Sequence, residues 1–504
     1  MTRSNGREGI TSTLRHLRAG SENFIIGAAF VLPRASGFLT LPIYTRLLGP
    51  EDFGRYELLT SIIALLYAVC LLGLDFAIAV RFYGHGEVER RRDTSSALAA
   101  AGVASLTATA VLIGLSGVVG PVLLESPNGA LPFAIVVAAV PFNVLAGVLA
   151  MYLRLRSQGR AMFRAMVGGA IGGTASGLVL VVAASWGLVG AVAGLTVVHI
   201  LTFALLAMSA RDTFDPKFAD RETSRQLVRL GAPLVPAGAA SWIFALADRF
   251  FVAAFLGFTQ LGLYAAAARL ATILSLLVFG FHAAWGPVAL RWAAIKDRDY
   301  LYSASLRLVA IVGGAAIASV SWLAVPLLWL LAGPDYLEAA GVVWLLAASV
   351  LFSAMFFVVQ IGANLAKTGG RIARAMVVAA ILNTVLNLAL IPNLGYYGAG
   401  IATLATYVVA YVIMYAMSQR VTRIAIGFGR ATAWAIGWTA VAGASTITPA
   451  GIRPFADILV VAAAVAIGLT TIAQSAHVFA TAVPTGVAGR PGDGDGETQG
   501  ILIP

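Results

Sequence analysis

The chain is short of the residues on which many soluble enzymes depend. It has one cysteine, Cys70, three lysines and only 11% charged residues among 504. A single cysteine excludes an intrachain disulfide and a thiolate metal cluster. None of the lysines follows a glycine, so the sequence contains no ATP-binding phosphate loop. H-E-x-x-H and G-x-S-x-G are also missing, and we therefore expect neither an enzyme nor a bound cofactor or metal.

Apolar residues are abundant instead, at 59% of the chain. Apolar runs of about 20 residues recur from Phe24 to Val478, and each is long enough to cross a hydrocarbon core of about 30 Å as a helix. We expect an all-α membrane protein with about 14 transmembrane helices. The predicted spans are 24–44, 58–80, 97–119, 131–152, 165–184, 188–208, 231–256, 262–290, 305–331, 339–365, 375–391, 398–417, 431–449 and 456–478.

The net charge of +11 could suggest a nucleic-acid partner, but the distribution of the basic residues along the chain is that of a membrane protein. Basic residues gather in every second segment between spans, which is the pattern of cytoplasmic loops. The sequence thus predicts cytoplasmic termini and a multi-pass protein of the bacterial plasma (inner) membrane. The basic segments are the N-terminus, 81–94, 154–164, 209–229, 291–298, 367–374 and 420–430, whereas 120–130, 185–187, 332–338 and 392–397 hold no Lys or Arg.

The sequence repeats itself at an offset of 208 residues. Leu48-Gly49, Gly54 and Tyr56 fall on Leu256-Gly257, Gly262 and Tyr264, and Gly187, Gly190 and Ala191 fall on Gly395, Gly398 and Ala399. Six spans per repeat give both halves the same orientation, so we expect a pseudo-twofold axis along the membrane normal. The predicted parts are a cytoplasmic N-terminal segment 1–23, a first six-helix bundle 24–208, a cytoplasmic linker 209–230, a second six-helix bundle 231–417, accessory helices 418–479 and a disordered cytoplasmic tail 480–504.

Charges inside the predicted spans mark a candidate site. A charge at the bilayer centre costs at least about 2.5–3.5 kcal/mol, so such residues face a cavity or a partner. Each of them could instead form a structural ion pair or an interfacial anchor, and Asp248 could pair with Arg269. We expect a central cationic cavity, and the candidate substrate-binding residues are Arg34, Arg269, Arg46, Asp248 and Asp75.

One motif resembles a known family. The stretch from Leu48 to Tyr56, L-G-P-E-D-F-G-R-Y, is similar to the L-G-P-x-x-F-G-x-Y element of polysaccharide (Wzx-type) flippases in the MOP exporter superfamily. Arg34-Ala35-Ser36-Gly37-Phe38 also resembles the first helix of the related lipid II flippases, in which residues matching Arg34 and Arg269 point into the cavity that receives the pyrophosphate. Thr40-Leu41 and Ala268 depart from the lipid II pattern and favour the polysaccharide branch.

This resemblance implies a flippase for an undecaprenyl-pyrophosphate-linked oligosaccharide used in surface polysaccharide assembly. The implied partners are that polyprenyl-linked substrate and membrane lipid, and could include a glycan polymerase or chain-length regulator. A multidrug/cation antiporter of the same superfamily is the first alternative, although it would be expected to line its cavity with carboxylates. A membrane glycosyltransferase or O-antigen polymerase would need a large outer loop, and a structural scaffold would not need buried arginines.

Overall fold

The structure is helical throughout the part of the chain that it describes. This computed structural model describes residues 5–211, 214–293, 295, 297–366, 368–449 and 452–482, with side chains except at 5–36, 39, 237, 279, 283–284, 287, 369, 371 and 476–482. Within these ranges there is no β-strand. The all-α prediction is therefore confirmed.

The first half begins with a long helix, α1, and continues through shorter apolar helices. A short amphipathic helix, α9, follows in the predicted linker. The helices are α1 Asn5–Cys70, α2 Leu74–Phe82, α3 Glu87–Gly114, α4 Ser116–Leu123, α5 Ala130–Ala138, α6 Val140–Leu155, α7 Gly159–Val182, α8 Gly187–Ser209 and α9 Arg221–Gly231.

The second half also begins with a long helix, α10. In chain order, the helices of this half are α10 Val235–Trp292, α11 Arg298–Leu308, α12 Gly314–Trp322, α13 Ala324–Leu331, α14 Val343–Val359, α15 Ile361–Leu365, α16 Gly369–Leu394, α17 Tyr396–Gln419, α18 Phe428–Ala444 and α19 Arg453–Ala482. A π-helical segment, Val309–Gly313, joins α11 to α12.

Eleven helical segments of the described chain are long and apolar enough to cross a membrane, so this is a multi-pass membrane protein. One of them, Gly238–His282, bends at Gly257 and covers two predicted spans. The predicted span 431–449 corresponds to α18, which has 17 residues. The first predicted span lies mostly in the part of α1 whose side chains are outside the description. The number fourteen and the orientation of the termini stay predictions.

The backbone repeats its unusual conformations 208 residues apart. Gly49 bends α1 with φ 70° and ψ 174°, and Gly257 bends α10 with φ 82° and ψ 175°. Gly187 and Gly395, at the starts of α8 and α17, also have positive φ, at 51° and 61°. Glycine adopts this region without the steric cost that a β-carbon brings. Glycines that match between the two halves in sequence therefore also have similar, positive φ angles.

The two long helices meet in a reciprocal contact beside these bends. A β-carbon on Gly54 would lie 2.1 Å from the carbonyl oxygen of Phe258, and one on Gly262 would lie 1.9 Å from the carbonyl oxygen of Pro50. Pro50 and Gly54 are the repeat mates of Phe258 and Gly262, so the same contact is made twice. This geometry explains the spacing of the L-G-P-x-x-F-G element, because only glycine lets the two backbones approach so closely.

Helix α9 lies at the other end of α1. A β-carbon on Gly231, its last residue, would lie 2.5 Å from the carbonyl oxygen of Leu72, just after α1 ends. Between Gly49 and Cys70, α1 covers about 30 Å at 1.5 Å per residue. The reciprocal glycine contact and α9 therefore lie on opposite sides of the bundle, which we call the glycine side and the α9 side.

Asp220 caps the start of α9 and makes its stability depend on pH. Its carboxylate accepts hydrogen bonds from the backbone N–H and the hydroxyl of Thr223, at 2.8 and 2.7 Å. These bonds, the backbone one first, lower the pKa of Asp220 below its ordinary value. A depressed pKa means that the cap stabilises α9 above the ordinary aspartate pKa of about 3.9 and is lost as the pH falls through the lower folded value.

We therefore expect amide exchange in α9 to accelerate as the pH is lowered below about 4. Hydrogen–deuterium exchange of the α9 peptides across pH, corrected for the intrinsic rate, measures it. Asp220→Asn is the matched control, because asparagine caps equally well and does not titrate. If this control protein showed the same acid-dependent opening, the cap would not be its cause.

Candidate functional site

A buried ion pair joins α1 to α10 across the two halves. The carboxylate of Glu57 is 2% exposed and accepts hydrogen bonds from Nε of Arg269, at 2.8 Å, and from Nη2 of the same guanidinium. Nη1 of Arg269 donates to the carbonyl oxygen of Gly37 at 3.1 Å. The guanidinium carbon lies 5.8 Å from the ring centre of Phe53. Arg269, a residue that the sequence singled out, is thus held by residues of the first half.

A second arginine of α10 shares the same carboxylate. Nε of Arg249 lies 3.5 Å from Oε2 of Glu57, and the Arg249 side chain is 15% exposed. That Nε is buried, and no hydrogen bond to another described residue satisfies it. Glu57 therefore faces two guanidinium groups, and one buried N–H donor remains available to a further acceptor. We call Glu57, Arg249 and Arg269 the buried arginine cluster.

Asp248 lies beside this cluster but is turned away from Arg269. Its carboxylate is 8% exposed and accepts a hydrogen bond from the hydroxyl of Tyr264 and another, at 2.8 Å, from the backbone N–H of Arg249. The pair between Asp248 and Arg269 that the sequence allowed is therefore wrong, since Arg269 is bonded to Glu57. Among the described residues of this region, Glu57 and Asp248 carry two negative charges and Arg249 and Arg269 carry two positive charges, although neither guanidinium donates a hydrogen bond to Asp248.

Arg46 is held by main-chain oxygens. It donates to the carbonyls of Trp329 and Leu330 at 3.3 and 2.7 Å, and to that of Pro42 at 2.9 Å. Trp329 and Leu330 belong to the last turn of α13, where unsatisfied carbonyls and the helix dipole favour a cation. Of the two interpretations of Arg46, substrate contact and interfacial anchor, this geometry favours the anchor.

Arg46→Gln is therefore expected to lower stability and to leave the transport activity implied by the family resemblance largely intact. Losing partly exposed charge-assisted bonds to the end of α13 should lower the free energy of unfolding by about 1 kcal/mol. Thermal unfolding in detergent and a transport assay in vesicles, run on one preparation, measure the two quantities. Loss of transport with unchanged stability would contradict the anchor interpretation and would support a contact between Arg46 and the substrate.

Asp75 is separate from the buried arginine cluster. The predicted span 58–80 is interrupted, because α1 ends at Cys70 and Leu72 and Gly73 have positive φ of 55° and 66°. Asp75 stands in the first turn of α2, where the positive end of the helix dipole favours a carboxylate. It forms no ion pair with the described residues. About 20 Å of helix separates Glu57 from Cys70, so Asp75 and the cluster lie at different depths.

Arg34 lies on α1, and its side chain is outside the described residues. Two members of the cluster, Glu57 and Arg249, were not among the predicted site residues. Glu57 is a carboxylate next to an apolar run, and this position could have marked it as a buried charge. The predicted span starts at residue 58, however, so Glu57 was expected at the membrane–water interface. Arg249 follows Asp248 directly in the sequence and lies within the predicted span 231–256.

A second feature is an apolar cavity of about 310 Å³ in the second half. It lies between α10, the π-helical segment, α14 and α19, and nearly all of its lining is hydrocarbon. Such a cavity accepts an alkyl or polyprenyl chain, because burying apolar surface is favourable at about 25 cal/mol per Å². Its lining includes Leu274, Leu277, Phe281, Val309, Leu351 and Ile472.

Comparison with known proteins gives a family and a fold. A family model described as "Polysaccharide biosynthesis protein" matches residues 22–292. The structure resembles the lipid II flippase MurJ in an inward closed conformation, with a TM-score of 0.70 and 15% identity over 91% of this chain and 100% of that one.

Two other solved structures are similar over most of their length. An outward-facing multidrug resistance MATE transporter of the MOP superfamily gives a TM-score of 0.60 at 15% identity, over 83% of this chain and 96% of that one. A MOP superfamily transporter from Pyrococcus furiosus, reported with a reversed polarity of its binding pocket, gives 0.60 at 14% identity over the same shares. At such identities the likeness establishes the fold. No curated protein sequence matches the chain.

Proposed function

Because this chain belongs to the polysaccharide biosynthesis protein family, we propose that it is a flippase for a lipid-linked oligosaccharide. Its substrate would be an undecaprenyl-pyrophosphate-linked repeat unit, carried from the cytoplasmic to the outer leaflet of the bacterial inner membrane for surface polysaccharide assembly. The protein would move this lipid without making or breaking a covalent bond.

The observation that carries the proposal is the buried arginine cluster. Arg249 and Arg269 approach one carboxylate from α10, and the buried Nε of Arg249 lies near that carboxylate without a hydrogen bond to any described residue. Guanidinium groups bind phosphate oxygens with paired N–H donors, which makes arginine the preferred residue for such groups. A pyrophosphate entering here would take the free donor of Arg249 and compete with Glu57 for Arg269.

Glu57 would couple this binding to movement of the halves. It holds α1 to α10 near the glycine side, where the reciprocal contact of Gly54 and Gly262 joins the two halves. Exchange of Glu57 for pyrophosphate on Arg269 would loosen that junction and favour opening there. Rocking of like-oriented bundles about a fixed site is the usual form of alternating access.

The polyprenyl tail and the sugars of the substrate would occupy different environments. The apolar cavity beside Phe281 would take the first isoprenes of the tail, and the sugars would stay in a hydrated space between the halves. Moving a negative group outward is favoured by an interior-negative membrane potential, by about 2.3 kcal/mol per charge per 100 mV. The process would therefore need no ATP site, in keeping with the sequence.

A transport assay with two cargoes tests the proposal against the antiporter alternative, which the MATE likeness and the buried carboxylates Glu57 and Asp248 support. Proteoliposomes would carry a fluorescent polyprenyl-pyrophosphate oligosaccharide in one leaflet, and its exposure would be followed with a membrane-impermeant quencher. Parallel vesicles would be loaded with ethidium. We expect movement of the lipid without ethidium flux. Ethidium exchange without lipid movement would assign the protein to the antiporters.

Arg34→Ala is expected to slow lipid movement at least about tenfold. Loss of one charge-assisted hydrogen bond to the pyrophosphate is worth about 1.5–3 kcal/mol, which corresponds to that factor or more. The same assay, normalised to the amount of protein in the vesicles, measures it. Arg3→Ala is a control of equal charge outside the predicted spans. Full activity of the Arg34→Ala protein would remove Arg34 from the site.

A further inference from the structure

Helix α9 presents a row of unpaired arginines. Arg221, Arg225 and Arg229 are exposed and four residues apart, so their side chains follow one side of the helix. None of them forms an ion pair with a carboxylate in the described chain, and the carboxylate of Glu222 accepts a hydrogen bond from Gln226 at 3.2 Å instead. Like charges at this spacing destabilise a helix. The row therefore favours a bound anion.

The row has a fixed position relative to the membrane-spanning helix α3. The backbone N–H of Asp220 donates to the hydroxyl of Ser96 at 3.0 Å, and the hydroxyl of Ser224 donates to the carbonyl oxygen of Ser96 at 3.0 Å. The backbone N–H of Asp215 donates to the hydroxyl of Ser95 at 3.2 Å. These bonds hold α9 against the end of α3 and leave a groove between the two helices.

This α3–α9 groove is apolar at one end and cationic at the other. A cavity of about 550 Å³ has α3 on one side and α9 on the other, and adjoins an open cavity of about 1010 Å³ along the arginine row. Val103 on its α3 side is 68% exposed and lies in a candidate membrane span, so this end faces acyl chains. The apolar wall is Ala99, Ala100, Val103 and Ala104, and the residues common to both cavities are Asp220, Arg221, Ser224 and Val228.

We propose that the α3–α9 groove binds an anionic glycerophospholipid of the leaflet on the α9 side. The phosphate headgroup would lie along Arg221, Arg225 and Arg229, and an acyl chain would run past Ala100 and Val103. A free anion would not use the apolar wall. The groove lies at the far end of α1 from the buried arginine cluster, so its lipid is a resident one and is not the transported cargo. Because α9 connects the two halves, this lipid would fix the linker at the membrane surface.

A lipid titration of the full-length protein tests the charged end. Phosphatidylglycerol would be added to the delipidated protein in detergent, with phosphatidylethanolamine as the neutral comparison, and binding followed by native mass spectrometry and by the thermal unfolding midpoint. Each arginine near an anionic headgroup contributes about a fivefold gain in affinity. The triple variant R221Q/R225Q/R229Q should therefore bind phosphatidylglycerol on the order of 100-fold more weakly.

A charge-matched variant separates this groove from general basicity. R420Q/R423Q/R430Q removes three exposed arginines from another basic segment and should bind the lipid as the unmodified protein does. Equal weakening in both triple variants, or in neither, would overturn the proposal.

Two further arms test the apolar end and the identity of the lipid, and keep all charges in place. Ala104→Phe should fill the groove and weaken phosphatidylglycerol binding, whereas Val111→Phe, an exposed position two turns further along α3 and outside the groove, should not. Unchanged binding to the Ala104→Phe protein would overturn the proposal. So would displacement of phosphatidylglycerol by an equal amount of polyprenyl phosphate, because the groove would then take the cargo lipid.

Discussion

Glu57→Gln is expected to lower the free energy of unfolding by about 3–5 kcal/mol and to stop transport. The carboxylate is the common counter-charge of Arg249 and Arg269, and all three side chains are largely buried. Removing one partner of a buried pair leaves uncompensated charge in a medium that solvates it poorly. Here two guanidinium groups would be left, so the loss should lie in the upper part of this range. Detergent unfolding and the lipid-movement assay measure the two effects.

Arg269→Gln separates binding from folding. It leaves Glu57 opposite Arg249, so the remaining pair is neutral and the loss of stability should be smaller than for the Glu57→Gln protein. Transport should nevertheless stop, because the group that would exchange Glu57 for pyrophosphate is missing. The double variant E57Q/R269Q leaves one guanidinium, that of Arg249, with Asp248 as the remaining carboxylate nearby, and should recover part of the stability. Normal transport by the double variant would show that the cluster is only structural.

A surface pair provides the matched control. Nη1 of Arg156 lies 2.6 Å from Oε1 of Glu87, with the two side chains 29% and 45% exposed. Exposed pairs are screened by water and contribute about 1 kcal/mol or less. Glu87→Gln removes the same chemical group from an equally short contact and should change stability little. A similar loss in both glutamine variants would mean that burial does not determine the effect at Glu57.

The apolar runs were enough to predict the helices but not their ends. Runs of about 20 residues predict membrane helices because hydrocarbon thickness fixes the length. The interruption after Cys70 was not predictable, since it depends on Leu72 with φ 55°, a conformation that leucine rarely adopts. Because of that break, the helix that begins the predicted span 58–80 ends before Asp75, which lies in the first turn of α2 instead. Helix ends follow local tertiary contacts, such as Gly73 against Gly231, that composition does not record.

The candidate site was only partly predictable for a related reason. The cost of burying charge singled out Arg269 and Asp248, and both side chains are largely buried in the structure. Their partners depend on which helix faces which, and Glu57 is 212 residues from Arg269 in sequence. Arg46 illustrates the same limit, because its acceptors in α13 are 283 and 284 residues away. The sequence shows where a charge is, whereas the contact that decides between anchor and ligand is long-range.

The repeat, by contrast, was visible in sequence because it depends on glycine. Positions such as Gly49 and Gly257 require backbone angles or approaches that other residues cannot provide, and both copies therefore keep the same residue. This reasoning leads to the second large effect. Gly54→Ala and Gly262→Ala should each separate the halves on the glycine side, and their effects should be equal because the two contacts are repeat mates.

The size of the effect follows from the distances. A carbon and a carbonyl oxygen approach to about 3.3 Å, whereas the new β-carbons would lie 2.1 Å from the oxygen of Phe258 and 1.9 Å from that of Pro50. Both neighbours are main-chain atoms of a helix and cannot rotate away, so the helices must part by about 1 Å. We expect a loss of about 3 kcal/mol in stability, the upper end of the usual range for overpacking, because neither backbone can move aside. Transport should also stop, since the halves could not close on this side.

Spin labels can measure this separation directly. Glu51 and Thr259 are exposed repeat mates beside the contact, and with Cys70 replaced by serine they can be labelled as the only two cysteines. Pulsed electron paramagnetic resonance should show a longer distance between the two spin labels in the Gly54→Ala and Gly262→Ala proteins than in the labelled protein that keeps both glycines. Gly437→Ala is the control, because a β-carbon there meets nothing within 4 Å and alanine favours the helix by up to about 1 kcal/mol. An unchanged distance with normal transport in the Gly54→Ala protein would show that the halves do not need this contact to close. The proposal that Glu57 couples substrate binding to opening of this junction would then be wrong.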